Sequence, residues 1–239
     1  MTIHILRHGK TLANEKKLYC GHTDLPLSEN GIAELVALKN QDIYPPAADI
    51  FFTSGFARTY QTIDILYPQA GNKSAAQPVV GANSVRPVHI HACTAAILEG
   101  TAGEQSSPLR CTPLPQTIIV PALSEYNFGQ FEMKSYEDLK HQADYQAWIT
   151  DETGDVLCPG GESKNQVRKR VLEGYAQVID TMQQAGHSSV IVVCHGGTIV
   201  FVMEHLFPNT KNFYEWQPQP GRGYSIFCSG EEPATYKPI

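Results

Sequence analysis

A run of six residues, SVIVVC at positions 189–194, constrains the fold more than any other feature of the chain. Such a nearly continuous apolar run is typical of a parallel strand that is covered on both faces. The run ends at His195, and two glycines then open a segment with helical spacing. A strand that leads directly into a helix is half of a β–α–β unit, so the run predicts a parallel sheet flanked by helices.

Shorter apolar runs repeat this pattern along the chain. Further strands are predicted at 2–6, 49–53 and 116–120, and YSIFCSG at 224–230 is predicted as a final edge strand. Because helical patterns separate these runs, we expect an α/β fold: a three-layer α/β/α sandwich with a mostly parallel central sheet. The predicted helices cover residues 27–40, 57–67, 135–149, 164–186 and 197–207.

Two of these helices show a clear apolar stripe. The helix at 27–40 begins after Ser28, a good N-cap, and its predicted stripe consists of Ile32, Leu35 and Val36, with Lys39 at its solvent-exposed end. The helix at 164–186 ends at Gly186, a typical C-terminal residue. Its predicted stripe consists of Val167, Val171, Tyr175, Val178 and Met182.

The chain has 239 residues, which suits one large α/β domain. We predict a single domain over 1–239 with an insertion at about 69–115, a stretch that contains few charges. The insertion is expected to leave the sheet at the edge opposite the ligand site, because the preceding helix runs back from that site. Inside it, His89, His91 and Cys93 alternate. We favour a solvated segment over a metal site, since no fourth ligand follows at a suitable spacing.

Composition argues against several kinds of partner. The net charge is −6 and no long run of Lys and Arg occurs, so we expect no nucleic-acid partner. No apolar stretch is long enough to span a membrane, and we expect no secretory signal, because no basic region with an apolar run precedes the first strand. The six cysteines are scattered without a C-x-x-C pair, which suits reduced thiols. We therefore expect a cytoplasmic protein, with a monomer and a homodimer both open.

Charged side chains follow four of the predicted strands. Arg7 and His8 follow the first strand, Arg58 comes shortly after the second, Glu125 after the third, and His195 directly after the run at 189–194. Ligands of open parallel sheets bind beyond the carboxyl ends of the strands, where these side chains would meet. Each of them alone has an ordinary structural explanation, but their convergence on one edge predicts a functional site.

This set of side chains suits phosphoryl transfer. Two guanidinium groups can bind the oxygens of a phosphate monoester, and the N–H groups of a helix after His195 add donors. Nearby arginines favour a neutral His8, which can attack phosphorus and form a phosphohistidine. Glu125 is expected to protonate the leaving alkoxide and then to activate water. Because Arg and His bind the charge, we expect no metal and no cofactor, and a small-molecule phosphate ester as the partner.

Five segments of the chain are distinctive in their order and spacing: RHGKTLANEKKLYCGHTDLPLSENG, FTSGFARTYQT, LSEYNFGQFE, PGGES and VVCHGGT. Together they resemble the histidine phosphatase superfamily, whose fold is phosphoglycerate mutase-like. The resemblance implies that His8 is the nucleophile and Glu125 the proton donor. It implies further phosphate contacts from Arg7, Asn14, Gly21, Arg58, His195 and Gly196.

Within the superfamily, GHTDLPLSENG and PGGES resemble α-ribazole phosphatase-like and broad-specificity phosphatases more than cofactor-dependent phosphoglycerate mutases. Those mutases carry basic residues just after the position of Glu125, and here Tyr126, Asn127 and Phe128 follow instead. The resemblance therefore implies a metal-independent phosphomonoester hydrolase of the histidine acid phosphatase type. A phosphoglycerate mutase and a non-catalytic phosphate-binding protein are the alternatives.

Residues around this site suggest how the rest of a substrate is bound. Tyr19, Tyr126, Phe128 and Phe131 are candidates for an apolar wall, although at least half of them are expected to pack in the core. Glu162 in PGGES either contacts substrate or stabilises the start of the next helix. The basic residues of that helix are expected to form a solvated face: Lys164, Arg168, Lys169 and Arg170.

Overall fold

The computed structural model describes residues 1–68, 116–228 and 234–239, and their strands form one six-stranded sheet in the order β3-β2-β4-β1-β5-β6. The first four strands in this order are parallel; β5 pairs antiparallel with β1, and β6 pairs antiparallel with β5. The insertion predicted at 69–115 lies outside the described residues, as do His89, His91 and Cys93. The strands are β1 (Thr2–Arg7), β2 (Ile50–Thr53), β3 (Thr117–Ile119), β4 (Ser189–Cys194), β5 (Gly223–Phe227) and β6 (Thr235–Pro238).

Helices connect the strands and cover the sheet. Short 3-10 turns at Pro121–Leu123 and Gly129–Phe131 follow β3. The helices are α1 (Leu12–Glu15), α2 (Glu29–Lys39), α3 (Ala57–Leu66), α4 (Tyr136–Leu139), α5 (Ala143–Ile149), α6 (Lys164–Gln184), α7 (Gly196–Leu206) and α8 (Phe213–Trp216). No helix of the described residues is both long and apolar enough to cross a membrane.

Side chains of β4 alternate between two apolar cores, one on each face of the sheet. Val192 packs in the larger core with Val171 of α6, whereas Val193 packs in the smaller core with Leu35 of α2. All residues of β4 after Ser189 are buried, as expected for a central strand with helices on both sides. The predicted three-layer sandwich with a mostly parallel sheet is therefore confirmed.

The far side of the sheet differs from the prediction. The strand predicted at 224–230 is β5 (Gly223–Phe227), and it is not at the edge, because β6 pairs with it on the outer side. Residues 229–230 lie outside the described residues. The sequence of β6, TYKP, contains Lys and Pro, which are common on edge strands and weaken the strand signal.

Two predicted helices also need correction. The helix predicted at 135–149 is divided into α4 and α5, because the backbone is extended at Gln142. In α2, Leu35 of the predicted stripe is buried, but Ile32 and Val36 are 39% and 43% exposed. Gly31 shares the buried face with Leu35. The Lys10 carbonyl packs so closely on this face that a Cβ at Gly31 would lie 2.0 Å from it.

The stripe predicted on α6 is confirmed. Its members Val167, Val171, Tyr175, Val178 and Met182 are all buried. Ser28 and Ser163 act as N-caps of α2 and α6, with their hydroxyls accepting backbone N–H groups of the first turn. These caps determine where the two helices begin, and α6 therefore starts directly after the PGGES segment.

Candidate active site

Two histidines meet at the carboxyl end of the sheet because β1 and β4 are neighbours in register. Arg7 lies opposite Cys194, so the residues that follow them, His8 and His195, leave the sheet side by side. The His8 N–H donates to the Cys194 carbonyl at 3.0 Å, and the two imidazole centroids are 5.2 Å apart. Both rings are buried, with His8 5% and His195 0% exposed.

Arg58 lies in the first turn of α3 and is 1% exposed. Its Nη1 and Nη2 donate to the carbonyls of Thr23 and Gly21 at 3.0 and 2.7 Å, and its Nε donates to His195 Nδ1 at 3.3 Å. The guanidinium also lies over the Phe56 ring, 4.4 Å from its centroid. A buried cation is stable only with such partners, so these contacts hold a permanent positive charge beside the two histidines.

The hydrogen bonds of His8 determine which nitrogen can react. Nδ1 lies 2.6 Å from the carbonyl oxygen of Gly9, and a carbonyl only accepts, so Nδ1 carries the proton. In the neutral ring, Nε2 then has the free lone pair. Burial, followed by the charges of Arg58 and Arg7, holds the pKa of His8 well below its ordinary value. His8 is therefore a neutral imidazole at pH 7 with a nucleophilic Nε2.

His195 has the opposite tautomer. Its Nδ1 accepts from Arg58 Nε, so Nε2 carries the proton and donates to Ser54 Oγ at 2.8 Å. Burial is the largest cause that holds the pKa of His195 well below its ordinary value, and Arg58 and His8 lower it further. Ser54 directly follows β2, so the second strand supplies the group that orients this ring.

Arg7 has a buried donor that is available to a ligand. Its Nη1 donates to the Pro218 carbonyl at 2.8 Å, whereas Nε is buried without a partner among the described residues. A Cβ at Gly196 would lie only 3.2 Å from Arg7 Nε, so the glycine permits the start of α7 to approach the guanidinium. A buried unpaired donor is costly, and an anionic oxygen would satisfy it.

Glu125 lies at the start of α7. It follows the 3-10 turn after β3, and its Oε2 accepts the Gly197 N–H at 3.0 Å. Its Oε1 accepts the N–H of Tyr126 at 2.9 Å. A Cβ at position 197 would lie 2.5 Å from Oε1, so a larger residue here would displace the carboxyl group from its present position. The positive end of the helix dipole favours a carboxylate here, and it would equally favour a phosphate.

Asn14 also lines the site. Its Oδ1 accepts from the N–H and the hydroxyl of Thr11, both at 3.0 Å, as part of a capping box at α1. This leaves Nδ2 as a donor for a ligand in the cavity that Asn14 lines. Asn14 is thus placed with Arg7 and Glu125, in agreement with its inclusion among the predicted site residues.

Gly21 and Glu162 are both bound to other groups of the protein. The Gly21 N–H donates to both carboxylate oxygens of Glu132 at 3.1 Å, and its carbonyl accepts from Arg58. Both carboxylate oxygens of Glu162 bind Arg170. Of the predicted site residues, Arg7, Asn14 and Glu125 line the cavity, whereas Gly21, Glu162, His8, Arg58, His195 and Gly196 do not. Within the described residues, Gly21 and Glu162 thus bind side chains that support the site. A direct contact of either residue with phosphate or substrate stays a prediction.

Glu132 was not singled out from the sequence, although it ends the FGQFE segment. Its carboxylate accepts the backbone N–H groups of Gly21 and His22 and the hydroxyl of Thr23, the last two at 2.8 Å. It therefore holds the loop whose carbonyls bind Arg58. An isolated glutamate gives no sequence signal for such a role, since its partners are about 110 residues away.

A cavity of about 420 Å³ opens from Arg7, Glu125 and Gly197. Tyr19, Tyr126 and Phe128 line it as predicted. Phe131 does not, because it is 2% exposed and packs against Tyr145. Four lining aromatic residues were not predicted: Trp148, Phe201, Phe213 and Tyr214. The space next to the charged groups is thus large enough for a substrate beyond its phosphate, and its wall contains seven aromatic side chains.

The basic residues at the start of α6 do not form one solvated face. Arg168 and Lys169 are exposed, but Lys164 and Arg170 are half-buried. Lys164 lines the cavity and its Nζ donates to the Asp151 carbonyl at 2.6 Å. Arg170 is paired with Glu162. Helical periodicity does not show this difference, because the partners of both residues come from other segments.

The site therefore combines two buried guanidinium groups, two neutral imidazoles, the N-terminus of α7 and a carboxylate. Within the residues that the structure describes, no group of three or more His, Cys, Asp or Glu side chains is arranged to bind a metal ion. Such a set can bind a phosphate dianion, supply a nitrogen nucleophile and transfer a proton.

Comparisons with known proteins agree with this geometry. Residues 3–79 and 101–233 match the Histidine phosphatase superfamily (branch 1), and the chain belongs to this superfamily. It is 25% identical to a 2,3-bisphosphoglycerate-dependent phosphoglycerate mutase of Chlamydia felis, over 82% of this chain and 79% of the relative. It is 26% identical to the adenosylcobalamin/alpha-ribazole phosphatase of Salmonella typhimurium, over 86% of this chain and 79% of the relative.

The fold is also that of solved structures. The alpha-ribazole phosphatase from Shigella flexneri superposes with a TM-score of 0.69 at 21% identity, covering 99% of this chain and 95% of that chain. The fold is thus phosphoglycerate mutase-like, as the resemblance implied. The superfamily includes relatives named as phosphatases and as mutases, so membership supports a phosphatase or mutase enzyme.

Proposed function

We propose that this protein is a metal-independent phosphomonoester hydrolase that acts on a small-molecule phosphate ester through a phosphohistidine at His8. The observation that carries the proposal is the state of His8: a buried neutral imidazole whose Nε2 lone pair is free, next to Arg58 and the unpaired Nε of Arg7. A protein that only binds phosphate has no need for a nucleophile prepared in this way.

In the first step, Nε2 of His8 attacks phosphorus and the bond from phosphorus to the ester oxygen breaks. Glu125, in its protonated form, gives its proton to the leaving alkoxide and becomes a carboxylate. Arg7, Arg58 and the N–H groups at the start of α7 stabilise the charge on the equatorial oxygens. Neutral His195, with its proton on Nε2 and Arg58 at Nδ1, adds no further charge.

In the second step, the Glu125 carboxylate takes a proton from water, and the resulting hydroxide attacks the phosphohistidine. The phosphorus–nitrogen bond breaks, its electrons return to Nε2 of His8, and inorganic phosphate leaves. Glu125 is protonated again and the cycle closes. The bond from the Gly197 N–H to Glu125 supports this double role, because it holds the carboxyl group beside the phosphate site.

The cavity wall supports an apolar or ring-bearing alcohol in the substrate. Seven aromatic residues line the cavity, and flat rings stack well on such surfaces. The carboxylate of a phosphoglycerate would need a cation next to the phosphate. Among the described lining residues, Lys164 is the cation other than Arg7, and it already donates to Asp151. For this reason we prefer the hydrolase to the mutase as the proposed function.

Phosphate release from a panel of esters, with EDTA present, tests the proposal. The panel contains p-nitrophenyl phosphate, 3-phosphoglycerate, sugar phosphates, nucleoside monophosphates and α-ribazole phosphate. We expect release by the wild type, an acid-labile phosphoprotein in rapid-quench samples, and loss of both in His8→Ala. The exposed His141 provides the matched control, and His141→Ala should behave as the wild type does.

Two outcomes would contradict the hydrolase. Conversion of 3-phosphoglycerate to its isomer, primed by 2,3-bisphosphoglycerate and faster than any release, would favour the mutase. Tight binding of inorganic phosphate with neither release nor phosphotransfer would favour a phosphate-binding protein.

A further inference from the structure

We propose that Arg170 is a positioning residue for the proton donor Glu125, an inference that rests on the proposed function. Arg170 lies on α6, and its guanidinium reaches the chain between β3 and Glu125. Its Nη1 donates to the carbonyls of Ala122 and Ser124, both at 2.9 Å. Its Nη2 donates to the carbonyl of Glu125 itself at 3.2 Å. One side chain thus binds three backbone carbonyls of the segment that carries the acid.

Glu162 holds Arg170 in place. The pair is bidentate, with Nε to Oε1 and Nη2 to Oε2 both at 2.8 Å. Oε2 also accepts the Asn127 N–H at 2.9 Å. Burial acts to raise the pKa of Glu162, but the hydrogen bonds from Arg170 and Asn127 outweigh it and the pKa is lowered. Glu162 is therefore ionised at pH 7, and it binds the segment directly at Asn127 and, through Arg170, ahead of Glu125.

This clamp matters because no strand or helix holds the backbone at Glu125 itself. The segment from Pro121 to Phe128 contains one 3-10 turn and no strand or longer helix. From α7, Thr198 Oγ1 donates to the carbonyls of Leu123 and Ser124 at 3.3 and 3.1 Å, and the carbonyl of Glu125 is bound by Arg170. The guanidinium supplies the carbonyl partners that a sheet or helix would otherwise provide.

The carboxyl group of Glu125 takes its direction from that backbone. Its oxygens accept N–H groups of Tyr126 and Gly197, so it can protonate the leaving oxygen only while the backbone holds it beside α7. If a catalytic group is displaced by about 1 Å, the reaction rate falls on the order of 100-fold. The charge of Arg170 is paired with Glu162, so we assign its effect to position.

Leaving-group dependence separates this role from a general structural one. Phenyl phosphate has a poor leaving group and needs the acid, whereas p-nitrophenyl phosphate needs little protonation. In Arg170→Ala we expect kcat/KM for phenyl phosphate to fall at least about 10-fold more than kcat/KM for p-nitrophenyl phosphate. Arg170→Lys should recover part of the difference, and the exposed Lys169→Ala on the same helix should show none.

A double-mutant cycle gives the decisive comparison. Glu125→Gln removes the proton, so adding Arg170→Ala to it should cause no further selective loss on phenyl phosphate. Glu162→Gln, which weakens the pair but keeps its shape, should show the same selectivity to a smaller extent. This variant decides the matter if Arg170→Ala does not fold.

Two results would overturn the inference. The first is that Arg170→Ala and Glu162→Gln each lose equal activity on both esters. The second is that Arg170→Ala causes its full selective loss on phenyl phosphate even in the Glu125→Gln background. Either result would show that Arg170 has a structural role only. In either case the wild type would still release phosphate, and the proposed function would stand. A wild type that releases none from any ester would instead overturn the proposed function together with this inference.

Discussion

Each residue of the site takes its chemical state from its neighbours. His8 and His195 are 5.2 Å apart and both buried, and the carbonyl of Gly9 and the Nε of Arg58 select opposite tautomers for them. Had both been protonated, they would repel each other and the two arginines. Burial together with permanent cations therefore keeps both rings neutral, so that Nε2 of His8 has a free lone pair and Nε2 of His195 donates to Ser54.

The lowered histidine pKa values lead to a pH dependence of stability. The pKa values of His4, His8 and His195 are all lowered, chiefly by burial, relative to the unfolded chain, where imidazole titrates near 6.5. As the pH falls below about 6.5, the unfolded chain binds protons that the folded chain does not. The free energy of unfolding should then decrease with falling pH, by up to about 1.4 kcal/mol per pH unit for each such proton.

Urea unfolding at several pH values between about 5 and 7.5 measures this effect. His8→Asn should reduce the slope of the free energy of unfolding against pH, and the exposed His141→Asn should leave that slope unchanged. Ionised carboxylates with lowered pKa values, such as Glu162, lose their contribution only at lower pH and do not interfere. A stability that is flat or rises as the pH falls through this range would contradict a neutral His8.

Arg58 should not be replaceable by lysine. Its three bonds to Thr23, Gly21 and His195 diverge from one planar group, and an ammonium cannot make all three. We expect Arg58→Lys to lower kcat/KM at least about 100-fold and to destabilise the fold by about 1–3 kcal/mol, because buried carbonyls lose their donors. Steady-state kinetics and urea unfolding test this, with the exposed Arg168→Lys as control. A variant close to wild type in both would contradict this account.

A single buried threonine, Thr62, links the end of β1 to α3. The Gly9 N–H, directly after His8, donates to Thr62 Oγ1 at 2.9 Å, and that hydroxyl donates to the Arg58 carbonyl at 2.7 Å. Thr62 is fully buried on α3. It thus connects the end of β1 with the helix that carries Arg58.

Thr62→Val tests this connection at nearly constant volume. The valine leaves the Gly9 N–H buried without a partner, so we expect a loss of about 1–3 kcal/mol in the free energy of unfolding and a lower kcat. Thr181→Val is a suitable control, since its hydroxyl donates to the Gln177 carbonyl within its own helix. Similar effects of the two substitutions would show that Thr62 does not connect the elements.

For the long helix α6 and the central strand β4, the local sequence pattern was sufficient to predict which residues are buried. The core-facing side of α6 was predicted because five apolar residues repeat at helical spacing, and β4 because its run is apolar on both faces. The buried face of α2 was predicted only in part, since Leu35 was expected there but Gly31, which packs against the Lys10 carbonyl, has no hydrophobic signal. The edge strand β6 was missed for a similar reason, as its Lys and Pro suit an edge but resemble a loop.

On the scale of the whole molecule, residues 69–115 can be tested for their contribution. Phe51 contacts both flanks of the gap: its ring is 5.1 Å from that of Tyr67, and its N–H donates to the Gln116 carbonyl at 2.9 Å. The two flanks are therefore close. We expect a chain with a short Gly/Ser linker in place of 69–115 to fold with a similar Tm and to keep its activity.

Thermal unfolding and p-nitrophenyl phosphate hydrolysis measure the outcome. Retention of both would support a single domain with an insertion that does not take part in the reaction. A folded but inactive variant would show that residues 69–115 contribute to the site, and a variant that does not fold would contradict the single domain with a dispensable insertion.

The sequence by itself determined the layered fold and the position of the reactive groups along the chain. Periodicity reports which face of an element is buried, and the carboxyl ends of parallel strands share one edge, so Arg7, His8 and His195 could be placed together without coordinates. Only the tertiary structure decided how these groups are held. Glu132, Arg170 and Trp148 act through partners in other segments, and no local pattern encodes a contact between distant parts of the chain.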